Sequence, residues 1–117
     1  MTTDVIPILH VADAAEAARW YGRLGFTVEF EHRFQPNLPA YVGLRREGAQ
    51  IHLSEHVGDA HPHGLVYIWV DDIDAVVDAF GANLEEAPWG REVHLVDVDG
   101  NRIRVAQPTP ASDIDGA

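Results

Sequence analysis

The sequence predicts an α+β protein built from two copies of one unit, in which a strand and a helix are followed by three strands. The residues from Leu9 to Tyr21 have the pattern of a strand that leads into a helix, and those from Ile68 to Phe80 repeat it. Late in each half, GAQIHL at 48–53 corresponds to GNRIRV at 100–105. The single helix of such a unit covers one face of its sheet and leaves the other face open. We therefore expect two modules whose strands form a curved mixed sheet around a cleft.

The length of 117 residues is that of one domain with a hydrophobic core of ordinary size. We expect a single domain over residues 1–117, with modules at about 5–56 and 65–107. The tail at 108–117, PTPASDIDGA, has no hydrophobic pattern and is expected to fray.

Composition excludes several classes of function. A net charge of −11 repels the phosphates of nucleic acids, so we expect no nucleic-acid partner. The absence of cysteine excludes thiol nucleophiles and thiolate metal sites, and the absence of lysine excludes Schiff-base chemistry. There is neither an apolar run of about 18 residues nor the basic region of a signal peptide, so we expect a soluble, cytoplasmic protein with no membrane partner. The acidic excess either keeps the protein soluble or attracts a cationic partner.

The first half begins with an apolar strand over 5–11, VIPILHV. Pro7 cannot donate to a sheet ladder, so this strand should lie at an edge, pair on one side only, or pair with another subunit. Asp13 has the position of a helix N-cap with Glu16 completing a capping box, and Gly25 ends the helix. The remaining pattern predicts strands at 26–33, 41–45 and 50–55, with loops at 35–39 and 56–64.

The second half begins with the strand LVYIWV at 65–70, and Asp72 then begins a helix that Gly81 ends. Residues 85–87 read as a short link. The segment from Pro88 to Val105 alternates apolar and polar residues in two strands, and Asp99-Gly100 between them predicts a hairpin turn with positive φ at the glycine.

The side chains on the face away from the helices follow from the period of two along each strand. They mix aromatic, histidine and charged residues, which favours a binding cleft over an evenly polar solvent face. Trp89 lies in a turn beside this face. The predicted lining is Ile6, Ile8, His10, Gln50, His52, Ser54, Leu65, Tyr67, Trp69, Glu92, His94, Val96, Arg102 and Arg104.

The segments LHVADAAEAARWYGRLGF and DVDGNRIRV, in that order, resemble the vicinal oxygen chelate superfamily of glyoxalases, ring-cleaving dioxygenases and bleomycin resistance proteins. The resemblance covers about residues 6–107. Within it, PWGRE, LVYIWVDDIDAV and the opening IPIL strand resemble the bleomycin resistance proteins.

The resemblance also implies where a metal would be held, because the metal enzymes of the superfamily place four ligands on the first and last strands of each module. The matching positions here are Ile6, His52, Leu65 and Arg104. Only His52 can bind a metal, whereas catalytic zinc takes about three protein ligands. We therefore expect no metal, no cofactor and no catalysis. The alternatives are a metal-dependent lyase or isomerase that uses His52, His94 and Glu92, with His10 as a further candidate ligand, and a metal-free binder of another small metabolite.

The function that the resemblance implies is sequestration of a cationic aromatic antibiotic of the bleomycin type. Trp89 matches the tryptophan of the PWGRE motif and is expected to stack on the drug, with the cation attracted by the acidic protein. The resistance proteins form homodimers that exchange their N-terminal strands and build two ligand clefts between the subunits, and Pro7 fits that arrangement. The resemblance therefore implies a ligand cleft at a dimer interface. We predict ligand contacts from Trp89, Trp69, Tyr67, His52, His94, Glu92 and Arg104.

Several side chains have more than one interpretation at this point. Tyr67 and Trp69 line either the cleft or a dimer interface, whereas Trp20 fits the core or an interface. Glu92 pairs either with Arg104 or with a cationic ligand, and the two arginines of the last strand bind either an anionic group or neighbouring acids. The loop histidines, His56, His61 and His63, are expected to be solvated rather than to bind metal.

Overall fold

A computed structural model describes residues 3–110 of the chain. These residues form two compact units, one of residues 3–64 with 97–101 and the other of residues 65–96 with 102–110. The five-residue turn at 97–101 therefore belongs to the first unit, although the strands on either side of it belong to the second. The tail predicted to fray over 108–117 needs a correction at its start, because Pro108 lies in the last strand and the Thr109 N–H donates to the Trp89 carbonyl at 2.8 Å; residues 111–117 lie outside the described residues.

The first unit consists of one helix on a four-stranded mixed sheet. Its elements are β1 (Ile8–His10), α1 (Ala14–Arg23), β2 (Thr27–His32), β3 (Tyr41–Arg46) and β4 (Ala49–Ser54). The strand order is β1-β4-β3-β2, in which β1 runs parallel to β4 and the other pairs are antiparallel.

The second unit repeats this arrangement. Its elements are β5 (Leu65–Trp69), α2 (Ile73–Phe80), β6 (Glu85–Ala87), β7 (Gly90–Val96) and β8 (Arg102–Pro108). The order β5-β8-β7-β6, with β5 parallel to β8, is that of the first sheet. The predicted α+β class and the duplicated strand, helix and three-strand unit are confirmed, with the strands arranged as two four-stranded sheets.

Helix α1 is fixed at both ends by local chemistry. The Asp13 side chain accepts hydrogen bonds from the backbone N–H groups of Ala15 at 3.0 Å and Glu16 at 3.2 Å, as an N-cap should. Gly25 follows the C-cap with φ of 95°, in the left-handed region that glycine enters without strain. Glu55, which the pattern did not single out, accepts from the first helical amide, that of Ala14, at 2.7 Å.

Each sheet buries the face toward its own helix. In the first unit α1 packs on β2, β3 and β4, and the buried set includes Leu9, Trp20, Tyr21, Leu44, Ile51 and Leu53. In the second unit α2 packs on β7 and β8 over Ile68, Ile73, Val93, Leu95, Ile103 and Val105. The prediction of Trp20 as core is confirmed. No helix among residues 3–110 is long and apolar enough to span a membrane.

Three local predictions need correction. The first strand is shorter than 5–11, because the ladder begins only after Pro7, which has no N–H to donate; its position at the sheet edge is confirmed. Residues 85–87 are a strand, β6, because they pair with β7. The β7–β8 turn is a five-residue loop over 97–101 between the paired Val96 and Arg102: Gly100 has the expected positive φ of 85°, and the Asp97 carboxylate accepts from two backbone amides inside the loop.

Candidate ligand-binding face

The second sheet presents an aromatic and charged surface on the side that α2 does not cover. We call it the second open face. The strand register aligns its residues in two rows across β5, β8 and β7. One row consists of Trp69, Ala106 and Glu92, and the other of Tyr67, Arg104 and His94. Two tryptophans are half-exposed, Trp69 at 53% and Trp89 at 51%. The face comprises Leu65, Tyr67, Trp69, Glu85, Trp89, Glu92, His94, Val96, Arg102 and Arg104.

Glu92 is the polar centre of this face. One of its carboxylate oxygens, Oε2, accepts hydrogen bonds from the Tyr67 hydroxyl and from Trp89 Nε1 at 2.7 Å. The other oxygen accepts from His94 Nε2 at 3.1 Å. The donors from Tyr67, Trp89 and His94 lower the pKa of Glu92 to about 2, so the carboxylate is ionised at neutral pH. Since an ionised carboxylate can only accept, His94 carries its proton on Nε2 in this arrangement.

The same bonds fix the aromatic rings. Trp89 Nε1 also donates to the Tyr67 hydroxyl at 2.9 Å, and the Tyr67 and Trp69 rings meet edge to face with centroids 5.0 Å apart. Burial and the hydrogen bond to Glu92 raise the pKa of the Tyr67 phenol above its ordinary value, so the hydroxyl keeps its proton. The result is a rigid aromatic surface around a buried negative charge.

The backbone places Trp89 where it can join this network. A Cβ atom on Gly90 would lie 2.3 Å from the carbonyl oxygen of Gln107, so only glycine permits the close approach of β7 and β8 here. The Trp89 carbonyl accepts from the Thr109 N–H at 2.8 Å. The glycine of the PWGRE motif is thus explained by the close approach of the two strands, which holds the backbone of Trp89 beside this face.

Arg104 differs from the other charged residues at the centre of this face, because no hydrogen bond or ion pair joins it to any residue of 3–110. Its strand neighbours are Tyr67 and His94. The interpretation that Glu92 pairs with Arg104 is wrong, since Tyr67, Trp89 and His94 occupy both carboxylate oxygens.

The first sheet has its own open face, on which His52 lies. His52 Nδ1 shares a hydrogen bond of 2.8 Å with the Tyr41 hydroxyl, and the Phe30 ring meets the imidazole edge to face at 5.3 Å. Phe30 lies across Gly43, where a Cβ atom would come within 2.0 Å of the ring. Sequence reasoning missed Phe30 and Tyr41. A glycine inside a strand is the signal that could have found them, because it indicates a close approach from a neighbour.

Of the seven predicted ligand residues, the structure therefore brings six together on the second open face. The seventh, His52, belongs to the first unit. Two of the other histidines, His10 and His61, line a cavity of about 370 Å³ in the first unit beside Asp59.

The donor set does not fit the metal site that the resemblance implies. Ile6 and Leu65 have no donor atoms, Arg104 is a cation, and His52 already shares its Nδ1 with Tyr41. Within residues 3–110, no group of three or more histidine and carboxylate side chains could hold a metal ion. We derive no chemistry through a metal.

With the fold and these contacts established, comparison with known proteins gives the class. The family model for glyoxalase superfamily proteins matches residues 1–111. The chain belongs to the glyoxalase superfamily, in agreement with its resemblance to the vicinal oxygen chelate proteins. No curated protein matches the sequence.

Solved structures share the fold at low identity. A glyoxylase/bleomycin resistance protein/dioxygenase domain from Frankia sp. EAN1pec is 18% identical with a TM-score of 0.75, over 100% of this chain and 99% of that one. An antibiotic-binding protein from Streptomyces sp. CB03234 is 21% identical with a TM-score of 0.73, over 93% and 98%. A bleomycin-binding protein solved with bleomycin is 20% identical with a TM-score of 0.68, over 92% and 100%.

Proposed function

We propose that this protein binds and sequesters an aromatic antibiotic, of the cationic bleomycin type, on its second open face and without chemical change. The observation that carries the proposal is the pair of half-exposed indoles, Trp69 and Trp89, held around a buried ionised Glu92. The antibiotic-binding proteins that share the fold support it.

The aromatic rings are the physical basis of binding. Exposed indole surface gains free energy when a flat ring covers it, and stacking adds about 0.5–1.5 kcal/mol for each aromatic pair. Because Trp89 is tied to Glu92 and Tyr67, this surface is ordered before the ligand arrives, and less side-chain entropy is lost on binding. The net charge of −11 raises the local concentration of a cationic drug.

The state of Glu92 supports binding rather than catalysis. A general base works best with a pKa near the working pH. Three donors hold the pKa of Glu92 at about 2, so this carboxylate is a weak base at neutral pH. The metal-dependent alternative would need ligands that this face does not supply.

Isothermal titration calorimetry with bleomycin tests the proposal. The wild type should bind bleomycin with tryptophan quenching, and Trp69→Ala should weaken binding about tenfold or more, since it removes ring contact without removing a donor to Glu92. Phe34→Ala is the matched control, because Phe34 is an aromatic side chain that is 75% exposed, belongs to the first unit and is not part of the second open face. Absence of heat and quenching at high micromolar bleomycin would count against the proposal, as would equal effects of the two variants.

We also propose a homodimer that exchanges its N-terminal strand. Within one chain, β1 pairs with β4 over three residues at a sheet edge, so a partner's β1 could form the same pairs. Ile8 of β1 and His52 of β4 are register partners, and the chain has no cysteine of its own. The double substitution Ile8→Cys and His52→Cys therefore shows, by the disulfide that forms, whether β1 pairs with β4 of the same chain or of a partner. Disulfide-linked dimers support exchange, and linkage within one chain refutes it. The cytoplasmic location stays a prediction.

A further inference from the structure

We propose that Arg104 binds an anionic group of the ligand, so that the second open face selects aromatic compounds that carry a carboxylate or a similar anion beside the ring. This inference rests on the proposed function, since it concerns the same face. It specifies a chemical group that a cationic drug would also have to carry in order to fill the site.

The second open face carries both carboxylates and arginines. Glu92 already accepts from Tyr67, Trp89 and His94, whereas the Glu85 carboxylate, whose side chain is 61% exposed, lies 3.4 Å from His94 Nε2. A ligand cation therefore finds no vacant oxygen on Glu92. The negative charge acts at a distance, but its hydrogen-bonding capacity is largely used within the protein.

The arginines of the face are in the opposite state. Neither Arg102 nor Arg104 has a hydrogen bond or ion pair to any residue in the described part of the chain. Arg102 is exposed, so its guanidinium is open to solvent. Arg104 is only partly exposed, and it stands between Tyr67 and His94 in the middle of the sheet. A partly desolvated guanidinium without an anion is costly, and a ligand carboxylate would satisfy it.

The surroundings of Arg104 suit an anion. Guanidinium presents paired N–H donors that match a carboxylate in two parallel hydrogen bonds. Arg104 is the register partner of Tyr67 on the neighbouring strand, and its positive charge opposes the rise in the pKa of the Tyr67 phenol. Among residues 3–110, no carboxylate forms an ion pair with it.

The spacing fits a ring with an adjacent acid group. Tyr67 and Trp69 are same-face neighbours on β5, about 7 Å apart along the strand, and Arg104 pairs with the first of them. A bicyclic ring that packs on Trp69 can therefore place a carboxylate one short link away on Arg104. A larger antibiotic would use the same two contacts.

Three probes with one ring and different groups test this: 2-naphthylacetate, 2-(2-naphthyl)ethanol and 2-(2-naphthyl)ethylamine, titrated calorimetrically at near-physiological salt. The wild type should bind the acid about tenfold tighter than the alcohol, and tighter still than the amine. Arg104→Gln should remove the preference for the acid. Arg102→Gln is the matched control, because it removes the same charge from the same strand and face, and it should change the acid's affinity less than about twofold.

The outcomes separate the two proposals. If no probe binds the wild type at millimolar concentration, the aromatic binding function itself fails. If the probes bind but the amine equals or exceeds the acid, or if both arginine variants lose the acid equally, the role of Arg104 is refuted while aromatic binding stands. Should Arg104→Gln fail to fold, Arg104→Lys replaces it in the test. The lysine keeps the charge but lacks the planar guanidinium, so the preference for the acid over the alcohol should fall from about tenfold to about threefold.

Discussion

Replacing Glu92 by glutamine tests the buried carboxylate on which the second open face is built. The substitution keeps the size and one oxygen, so Tyr67 and Trp89 can still donate, but the charge that strengthens their bonds is lost. At the His94 side, an amide N–H₂ would replace the oxygen that now accepts from Nε2.

The expected loss of stability in Glu92→Gln follows from the pKa of Glu92. A fall in the pKa of Glu92 from 4.5 to about 2 corresponds to at most about 3 kcal/mol of folding free energy. Tyr67 and Trp89 remain 39% and 51% exposed, so water competes for both donors in part. We therefore expect Glu92→Gln to lower the free energy of unfolding by about 1–2 kcal/mol at pH 7.

The stabilisation by Glu92 should depend on pH in a defined direction. Because folding lowers the pKa of Glu92, its stabilising effect is complete above about pH 5 and is lost as the pH falls from the unfolded value of 4.5 toward 2. The stability difference between wild type and variant should shrink over that range. Urea unfolding followed by far-UV circular dichroism at pH 7, 5 and 3 measures it without depending on tryptophan emission.

Glu86→Gln is the matched control, since Glu86 lies one residue along β6 from the register partner of Glu92 and points to the other face. It should change stability by less than about 0.5 kcal/mol at every pH. A Glu92→Gln effect that is the same at pH 3 and pH 7, or no effect at all, would refute the account of an ionised, hydrogen-bonded carboxylate.

Two further predictions concern the first unit. Glu55→Ala should destabilise by about 1–3 kcal/mol in urea unfolding, because it removes the acceptor of two backbone amides, those of Ala14 and of the residue before β3; a change below 0.5 kcal/mol would contradict it. Gly43→Ala should cost about 1–3 kcal/mol, since the new methyl group displaces the Phe30 ring, whereas Gly22→Ala, in a helix position with open space, should stabilise by about 0.5–1 kcal/mol. Equal effects of the two alanines would show that the ring does not lie where the structure has it.

Much of the candidate site was predictable from local pattern. The period of two along β5, β7 and β8 assigns Tyr67, Trp69, His94 and Arg104 to one face, and the register confirms this assignment. What a strand pattern cannot give is the neighbour across the sheet. Glu92 and Arg104 share a face, yet the carboxylate bonds to Tyr67, which lies 25 residues away in sequence.

The sequence by itself determined the two helices, the Asp13 cap of the first, the duplicated unit and the side of each strand that faces the core, because these depend on hydrophobic period and on residues within one turn of each other. The Asp72 side chain, expected to cap the second helix, makes no capping hydrogen bond. Only the tertiary structure decided the polar partners: Glu55 binds an amide 41 residues away, and the buried Tyr21 hydroxyl donates to Asp97 across 76 residues at 2.6 Å. The physical reason is that a hydrogen bond depends on distances of a few tenths of an ångström between atoms that strand pairing brings together, and no local pattern encodes those distances.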